Sequence, residues 1–298
     1  MEVWTEEDSK GNVLSYKQYN GRKFHPEMEG DIAVTLGNIS SLHFREDDVL
    51  VCSYPKSGCH WIYNLIYMLR QKTLRYYGSP FLLEFDDLSQ ISAPRSGQTY
   101  ATHLSYKFIP ERAKQGKVKI VNILRNPKDV LCSMYEYQSR LTNRLYNGSF
   151  DGLLCYFLAD AIPTCGASWF THVQEWEIAK KTNPNLKVLS LRYEDLKQDL
   201  FSNIRKITNF LELDHDDTFL RELEQTLSID NLRREHQTQR GHRERYSTWI
   251  KDGRLPIYRK GIIGDWKHRF TVNQNELFDA VYKEKKAAMS IDLDLVFE

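Results

Sequence analysis

The stretch "SYPKSGCHWIYNLIYMLR", residues 53–70, joins the end of an apolar run, "VLVCSY" (49–54), to an amphipathic pattern. Ile62, Leu65, Ile66 and Leu69 recur at i, i+3, i+4 and i+7, which is one face of a helix. Lys56, Ser57 and Gly58 stand between the two. A turn from a buried strand into a helix aims unpaired backbone N–H groups and the positive end of the helix dipole at whatever lies above it. A phosphate-like anion is the natural guest: Ser57 and Gly58 permit close backbone approach, and Lys56 adds a point charge. The stretch is not a Walker A loop, which requires GxxxxGK[ST]; here the lysine precedes the glycine. An ordinary strand–helix turn with a surface lysine accounts for this segment, taken alone, equally well.

Two further apolar runs of strand length follow, "VKIVNIL" (118–124) and "LKVLSL" (186–191). Near-continuous Val/Ile/Leu runs suit parallel strands covered on both faces. After the second strand come Arg125, then Asn126 as N-cap, Pro127 at the first helical position and Asp129 in the first turn, a strong helix start. Ser133 lies eight residues beyond Arg125. Ligands of open α/β sheets bind past the carboxyl ends of the strands. Two such junctions, each with a cation and a hydroxyl, suit two anionic groups of one ligand, and the arginine fork matches a terminal phosphate. The pattern predicts α/β architecture: one domain over residues 1–298, with a central, mainly parallel sheet flanked by helices and long connections between residues 73 and 117. No repeat or Pro/Gly/Ser-rich linker divides the chain.

Composition narrows the class. The 41 Lys+Arg nearly balance the 40 Asp+Glu, so overall charge argues for neither nucleic acid nor a membrane surface. The acidic start "MEVWTEEDSKGN" is no signal peptide, and "LLCYFLADAI" is too short to span a bilayer. Five cysteines without a CxxC pair fit free thiols in a reducing compartment, and a cytoplasmic protein without metal is expected. Charge concentrates once: Arg233 to Arg269 carries 11 Lys/Arg against 4 Asp/Glu, including "YRKGIIGDWK" (258–267). A loop closing over a polyanionic small ligand, a nucleic-acid contact and a solvated basic loop are the three readings of that segment.

"YPKSGCHW", "RNPKDVLCSMY" and "RKGIIGDWKHRFT", in this order and at these separations, resemble the cytosolic sulfotransferase family. Lesser echoes are "ATHLSYKFIP" (101–110), "GASWFTHVQEW" (166–176) and "LRYEDLKQDL" (191–200), so the likeness covers residues of about 45 to 285. It implies a P-loop-like sulfotransferase fold that binds 3′-phosphoadenosine 5′-phosphosulfate (PAPS; product PAP). The sulfuryl group goes to a hydroxyl or amine of a small, aromatic or apolar acceptor. By the resemblance, Lys56, Ser57, Gly58, Cys59 and His60 surround the 5′-phosphosulfate, Trp61 stacks on adenine and Tyr193 lies near the base. Arg125 and Ser133 hold the 3′-phosphate with Arg259, Lys260 and Gly261. His103 in "ATHLS" is the general base, and Lys56 neutralises the departing bridging oxygen; both suit a reaction that runs on positioning and charge stabilisation.

Some positions depart from the family pattern. Ala101 replaces the usual lysine two residues before His103, Cys59 replaces a threonine, and "TLSIDNL" offers Leu227, Ser228 and Ile229 where a Thr-Ser-Phe-like run contacts the nucleotide. A missing cation beside the sulfuryl oxygens can cost on the order of 10²–10³ in rate, which keeps a catalytically impaired bisphosphate-binding protein as the alternative to an active enzyme. An ATP-using phosphotransferase is the third reading, disfavoured by the Lys56 spacing. Tyr137 resembles an acceptor-facing position, Phe81 is a second candidate, and the acceptor itself is left open. Near the carboxyl end Lys267, Thr271, Val272 and Glu276 reproduce the family's KxxxTVxxxE dimer motif, implying a homodimer.

Overall fold

The computed structural model describes residues 2–91, 97–238 and 257–289. Three strands, β1 (Trp4–Glu7), β2 (Val13–Tyr19) and β3 (Arg22–Phe24), form an antiparallel sheet and lead into α1 (Ile32–Ser40). The central unit follows: β4 (Val49–Ser53), α2 (Cys59–Gln71), β5 (Thr99–Thr102), α3 (Glu111–Lys114), β6 (Lys119–Leu124), α4 (Pro127–Ser139), α5 (Phe150–Leu158), α6 (Trp169–Thr182), β7 (Val188–Arg192) and α7 (Tyr193–Gln198). Helices α8 (Leu200–Phe210), α9 (Asp217–Thr226), α10 (Ile229–Thr238) and α11 (Val272–Ala288) complete the described chain.

Strands β5, β4, β6 and β7 lie side by side in that order, all parallel. Every residue of β4 is buried, which is why its sequence is apolar throughout instead of alternating. Its side chains still divide by parity. Val49 and Val51 pack with Ile62, Leu65, Ile66 and Leu69 of α2, while Leu50 and Cys52 pack with Ile32, Leu36 and Ile39 of α1. The four α2 residues are fully buried, and burial contributes about 1.5–3 kcal/mol for each such side chain.

The chain leaves β4 toward β5 on one side and β6 toward β7 on the other. The sheet therefore reverses its winding between β4 and β6, and the carboxyl ends of those neighbours open onto one crevice. The three apolar runs expected to be strands form β4, β6 and β7. Strand β5 and the amino-terminal sheet went unread. The "TYAT" of β5 carries no apolar run, and its pairing to β4 draws on backbone groups that any residue supplies.

Among the described residues no helix is long and apolar enough to cross a membrane, and no group of three or more His, Cys, Asp or Glu side chains is placed to hold a metal ion. All five cysteines are free, four of them buried.

Candidate active site

The turn after β4 is held in an unusual backbone. Lys56 has a φ of +70° and Gly58 one of +107°, the left-handed region that costs a side-chain-bearing residue free energy and is open to glycine. A Cβ at Gly58 would come within 3.0 Å of the Tyr193 ring. Gly58 is the N-cap of α2 and gives it no side-chain cap, so first-turn N–H groups remain for a ligand. Ser57 is fully buried, and its hydroxyl has no partner among the described residues.

The neighbouring junction meets this turn directly. Arg125, the residue after β6, donates from Nη1 to the Lys56 carbonyl at 2.9 Å, and its guanidinium carbon lies 4.2 Å from the centre of the Tyr193 ring. Tyr193 is the first residue beyond β7, so three strand ends converge. The Arg125 carbonyl accepts from Trp169 Nε1 at 3.2 Å, and the next backbone N–H, of Asn126, donates to Glu194 at 2.9 Å. Arg125 Nε is buried without a partner among the described residues. The Asn126 side chain caps α4 by accepting from Lys128 N, as expected.

Asp129 does more than favour the helix start. Its carboxylate accepts from the N–H groups of Gly264 at 2.8 Å and Trp266 at 3.0 Å, tying the carboxyl-terminal basic segment to the helix that carries Ser133. Between those two donors sits Asp265, 6% exposed, which pairs with Arg259 and with Lys260 at 2.5 Å. Burial pushes the Asp265 carboxyl up, but the hydrogen bonds from Lys260 and Arg259 outweigh it and hold the group below the ordinary carboxylate range. Gly261, at φ +64°, lies against Ile229, where a Cβ would stand 2.8 Å from Ile229 Cγ1. Residues 239–256 of the expected basic loop lie outside the described residues.

These pieces line one cavity of about 360 Å³. Of the residues singled out by sequence, Lys56, Gly58, Cys59, His60, Trp61, His103, Arg125, Ser133, Tyr137, Tyr193, Ile229, Arg259, Lys260 and Gly261 border it. Trp61 meets Tyr193 edge-on, ring centres 5.7 Å apart, and its Nε1 has no partner among the described residues. Lys56 Nζ sits 3.9 Å from the centre of the Tyr137 ring. Burial, then the positive charges of Arg125 and Arg259, pull the Lys56 ammonium down to about 7. The Cys59 thiol is pushed up to about 12, first by burial, and stays protonated.

Three expected residues do not border the cavity. Ser57 lies beneath the turn. Leu227 is 1% exposed within the apolar cluster that also holds Leu223 and Leu232. Phe81 packs edge-on against Tyr100 at 6.0 Å, on the periphery of the cluster beside α1. Ala101, in place of the family's lysine, is fully buried with Val51 and Ile62 and adds no space to the cavity.

His103 follows β5 and reaches the same cavity. Its Nδ1 lies 2.9 Å from the Ser53 carbonyl, an oxygen that can only accept, so Nδ1 carries the proton and Nε2 keeps its lone pair. Burial and the Lys56 charge pull the imidazole down to about 4 against a smaller rise from the Ser53 bond. A carboxylate unread in the sequence fixes this residue. Glu84, 2% exposed, accepts from the His103 backbone N–H at 2.6 Å and from Thr102 Oγ1 at 2.8 Å. Burial raises Glu84 to about 7, opposed by those hydrogen bonds.

Residues 46–290 match the family model described as "Sulfotransferase domain". The chain belongs to the sulfotransferase family. It is 30% identical to the amine sulfotransferase of rabbit (Oryctolagus cuniculus) over 94% of this chain and 92% of that protein. It is 33% identical to sulfotransferase 1A1 of cattle (Bos taurus), covering 87% and 90% of the two chains. The crystal structure of mouse sulfotransferase SULT7A1 complexed with PAP superposes with a TM-score of 0.74 at 29% identity, covering 91% and 94%. In this chain the cation-lined cavity, the Ser57 hydroxyl and Arg125 Nε left unpartnered among the described residues, and the glycine at the tight approach suit an anionic ligand. The Oγ of Ser57 and Nε of Arg125 would otherwise be buried donors left unsatisfied.

The dimer-motif residues sit around the start of α11. Thr271 is the N-cap, and its hydroxyl forms a reciprocal capping box with Gln274. Val272 is 73% exposed and Glu276 is also exposed, while the Lys267 ammonium lies 5.7 Å from the centre of the Trp266 ring.

Proposed function

We propose that this sulfotransferase transfers the sulfuryl group to a hydroxyl or amine of a small aromatic or apolar acceptor, with His103 as general base. The single observation that carries the reading is the His103–Ser53 hydrogen bond. It commits Nδ1 as donor, and with burial it leaves Nε2 unprotonated, its lone pair free within the cavity that Lys56 borders. Bound PAPS supplies the sulfuryl group and the leaving phosphate. Lys56 and the first turn of α2 stabilise negative charge at the 5′ end, while Arg125 and Ser133, with Arg259, Lys260 and Gly261, hold the 3′-phosphate. His103 takes the acceptor proton at Nε2, and Glu84 positions its backbone. Tyr137 with Leu82, Phe85 and Met134 offers an apolar wall to the acceptor.

The relatives' names support sulfuryl transfer, the PAP bound in the mouse structure supports PAPS as the donor, and the amine sulfotransferase keeps nitrogen acceptors in view. We further propose one catalytic domain, acting in the cytoplasm without a metal and as a homodimer through Lys267, Thr271, Val272 and Glu276. The decisive experiment measures labelled sulfate transfer to a panel of phenols, alcohols and amines, beside PAP binding, in the wild type and His103→Gln. Expected are PAP binding in both and transfer reduced in the variant by about 10²–10⁴-fold. PAP binding without transfer to any acceptor in the wild type would establish the impaired, binding-only alternative instead.

A further inference from the structure

We infer that Arg233 is a positioning residue for the nucleotide's 3′-phosphate. Its guanidinium clamps the carbonyls of Tyr258 and Arg259, at the start of the stretch Arg259–Lys260–Gly261 proposed above to grip that group. The inference rests on that reading and says what holds the grip in place. Arg233 Nε donates to the Tyr258 carbonyl at 2.9 Å, and Nη2 donates to the Arg259 carbonyl. Nη1 donates to Asp230 Oδ1 at 2.7 Å, one turn earlier in α10. Each guanidinium nitrogen therefore has a partner, and two of the three partners are consecutive backbone carbonyls.

The clamp belongs to one face of α10, where Ile229, Arg233 and His236 recur at i, i+4 and i+7. Ile229 packs against Gly261. His236, 7% exposed, places Nδ1 3.1 Å from the Tyr76 hydroxyl, which in turn donates to the Tyr258 hydroxyl at 3.4 Å. The rings of Tyr76, His236 and Tyr258 meet edge-on in all three pairings, their centres 5.8–6.2 Å apart. Tyr258 is thus held by its carbonyl and by its ring, and it borders the cavity. Further along, Asp129 holds the N–H groups of Gly264 and Trp266. The gripping residues run between these two anchors.

Carbonyls only accept, so neighbouring ones need a donor with hydrogens at matching spacing. A guanidinium supplies five in a rigid plane, whereas an ammonium supplies three from a single nitrogen. The Arg259 side chain is held separately, by Asp265, so different partners fix the backbone and the side chain of the same residue. Arg233 itself does not border the cavity. Its loss should therefore change the geometry of the grip and not the charge that lines it.

The test compares PAP with adenosine 5′-phosphate by calorimetry in the wild type, Arg233→Ala, Arg233→Lys, and Arg259→Ala/Lys260→Ala with and without Arg233→Ala. PAP affinity should fall roughly tenfold in Arg233→Ala, the loss expected for hydrogen bonds made by a charged group. Adenosine 5′-phosphate should bind within about twofold of the wild type, which also reports that the variant is folded. Arg233→Lys should recover only part of the loss, since one nitrogen replaces a fork. In the Arg259→Ala/Lys260→Ala background the Arg233→Ala step should shrink to about twofold or less, the non-additivity of residues that act through one another. An equal fall for both nucleotides, full recovery with lysine, or an undiminished Arg233→Ala step in that background would overturn the inference. The reading beneath it is tested separately. If Arg259→Ala/Lys260→Ala keeps the wild-type preference for PAP over adenosine 5′-phosphate, the 3′-phosphate grip itself is removed. If that variant loses the preference while Arg233→Ala keeps it, only the clamp is.

Discussion

The two ends of the cavity are made from different material. The cation-rich end is assembled at carboxyl ends of packed parallel strands, where Arg125, Lys56 and Tyr193 are locked together by short contacts. Other parts of the lining are contributed by a loop that follows the amino-terminal sheet and by loops around residues 143 and 164. A rigid sheet suits a donor whose charges lie at fixed spacing. Loops on a rigid scaffold can vary in length and charge without disturbing the core, which suits the selection of an acceptor.

The largest expected effect breaks the cation-rich end. Arg125→Ala removes a nearly buried guanidinium bonded to the anion turn, and PAP affinity should fall by roughly 10²–10³-fold, the range for truncating a buried, hydrogen-bonded charge. Calorimetry with PAP and adenosine 5′-phosphate in parallel tests the assignment to the 3′-phosphate. An equal loss for both nucleotides would show that Arg125 supports the turn alone.

Glu84→Gln sharpens the division from the other side. It replaces a carboxylate oxygen facing the His103 N–H or the Thr102 hydroxyl with an amide donor, so turnover should fall roughly tenfold, in line with about 1–3 kcal/mol for an unsatisfied buried group. PAP affinity should hold, and an equal fall in PAP binding would mean that the two ends are not separable.

The pH dependence follows from Lys56 and His103. In the free protein Lys56 titrates near 7, and an anionic ligand raises that value. The complex therefore binds more protons than the free protein. PAP affinity is fully developed below pH 7 and declines above it, by at most about tenfold per pH unit. Proton uptake on binding, measured in buffers of different ionisation heat, checks the sign, and Lys56→Met should abolish that part of the uptake. At the catalytic end the base stays neutral down to about 4, so the acid limb of kcat/KM should fall near that value instead of near the usual 6.5 of histidine.

The smallest effect is expected at Asp265. It neutralises Arg259 and Lys260 before any ligand arrives, so Asp265→Asn should strengthen PAP binding about two- to fivefold and steepen its salt dependence. Weaker binding would instead make Asp265 a positioning residue whose loss disorders the segment.

Much of the cation-rich end was legible in one dimension because strand–helix junctions keep their residues local. Lys56 to Trp61 and Arg125 to Ser133 each fall within a few positions of a recognisable helix start, and side chains there have few places to go. Glu84 and Asp129 show why the remainder was not. Glu84 lies in a segment without periodicity and acts on His103 nineteen residues away, while Asp129, read as a first-turn acid, meets N–H groups 135 and 137 residues distant. Phe81 and Leu227 illustrate the converse, since an aromatic or aliphatic side chain near a motif packs wherever the nearest apolar cluster lies.

The amino-acid order alone determined the parallel strands, the helices that begin beyond them and the family membership, because buried runs, capping residues and close-approach glycines are properties of short segments. Only the tertiary structure decided the winding reversal between β4 and β6, the neutral Nε2 of His103, the Asp265 counter-ion and the Glu84 contact that holds His103. Each depends on which distant groups share a low-dielectric space, and that proximity is set by how the sheet and its loops close on one another.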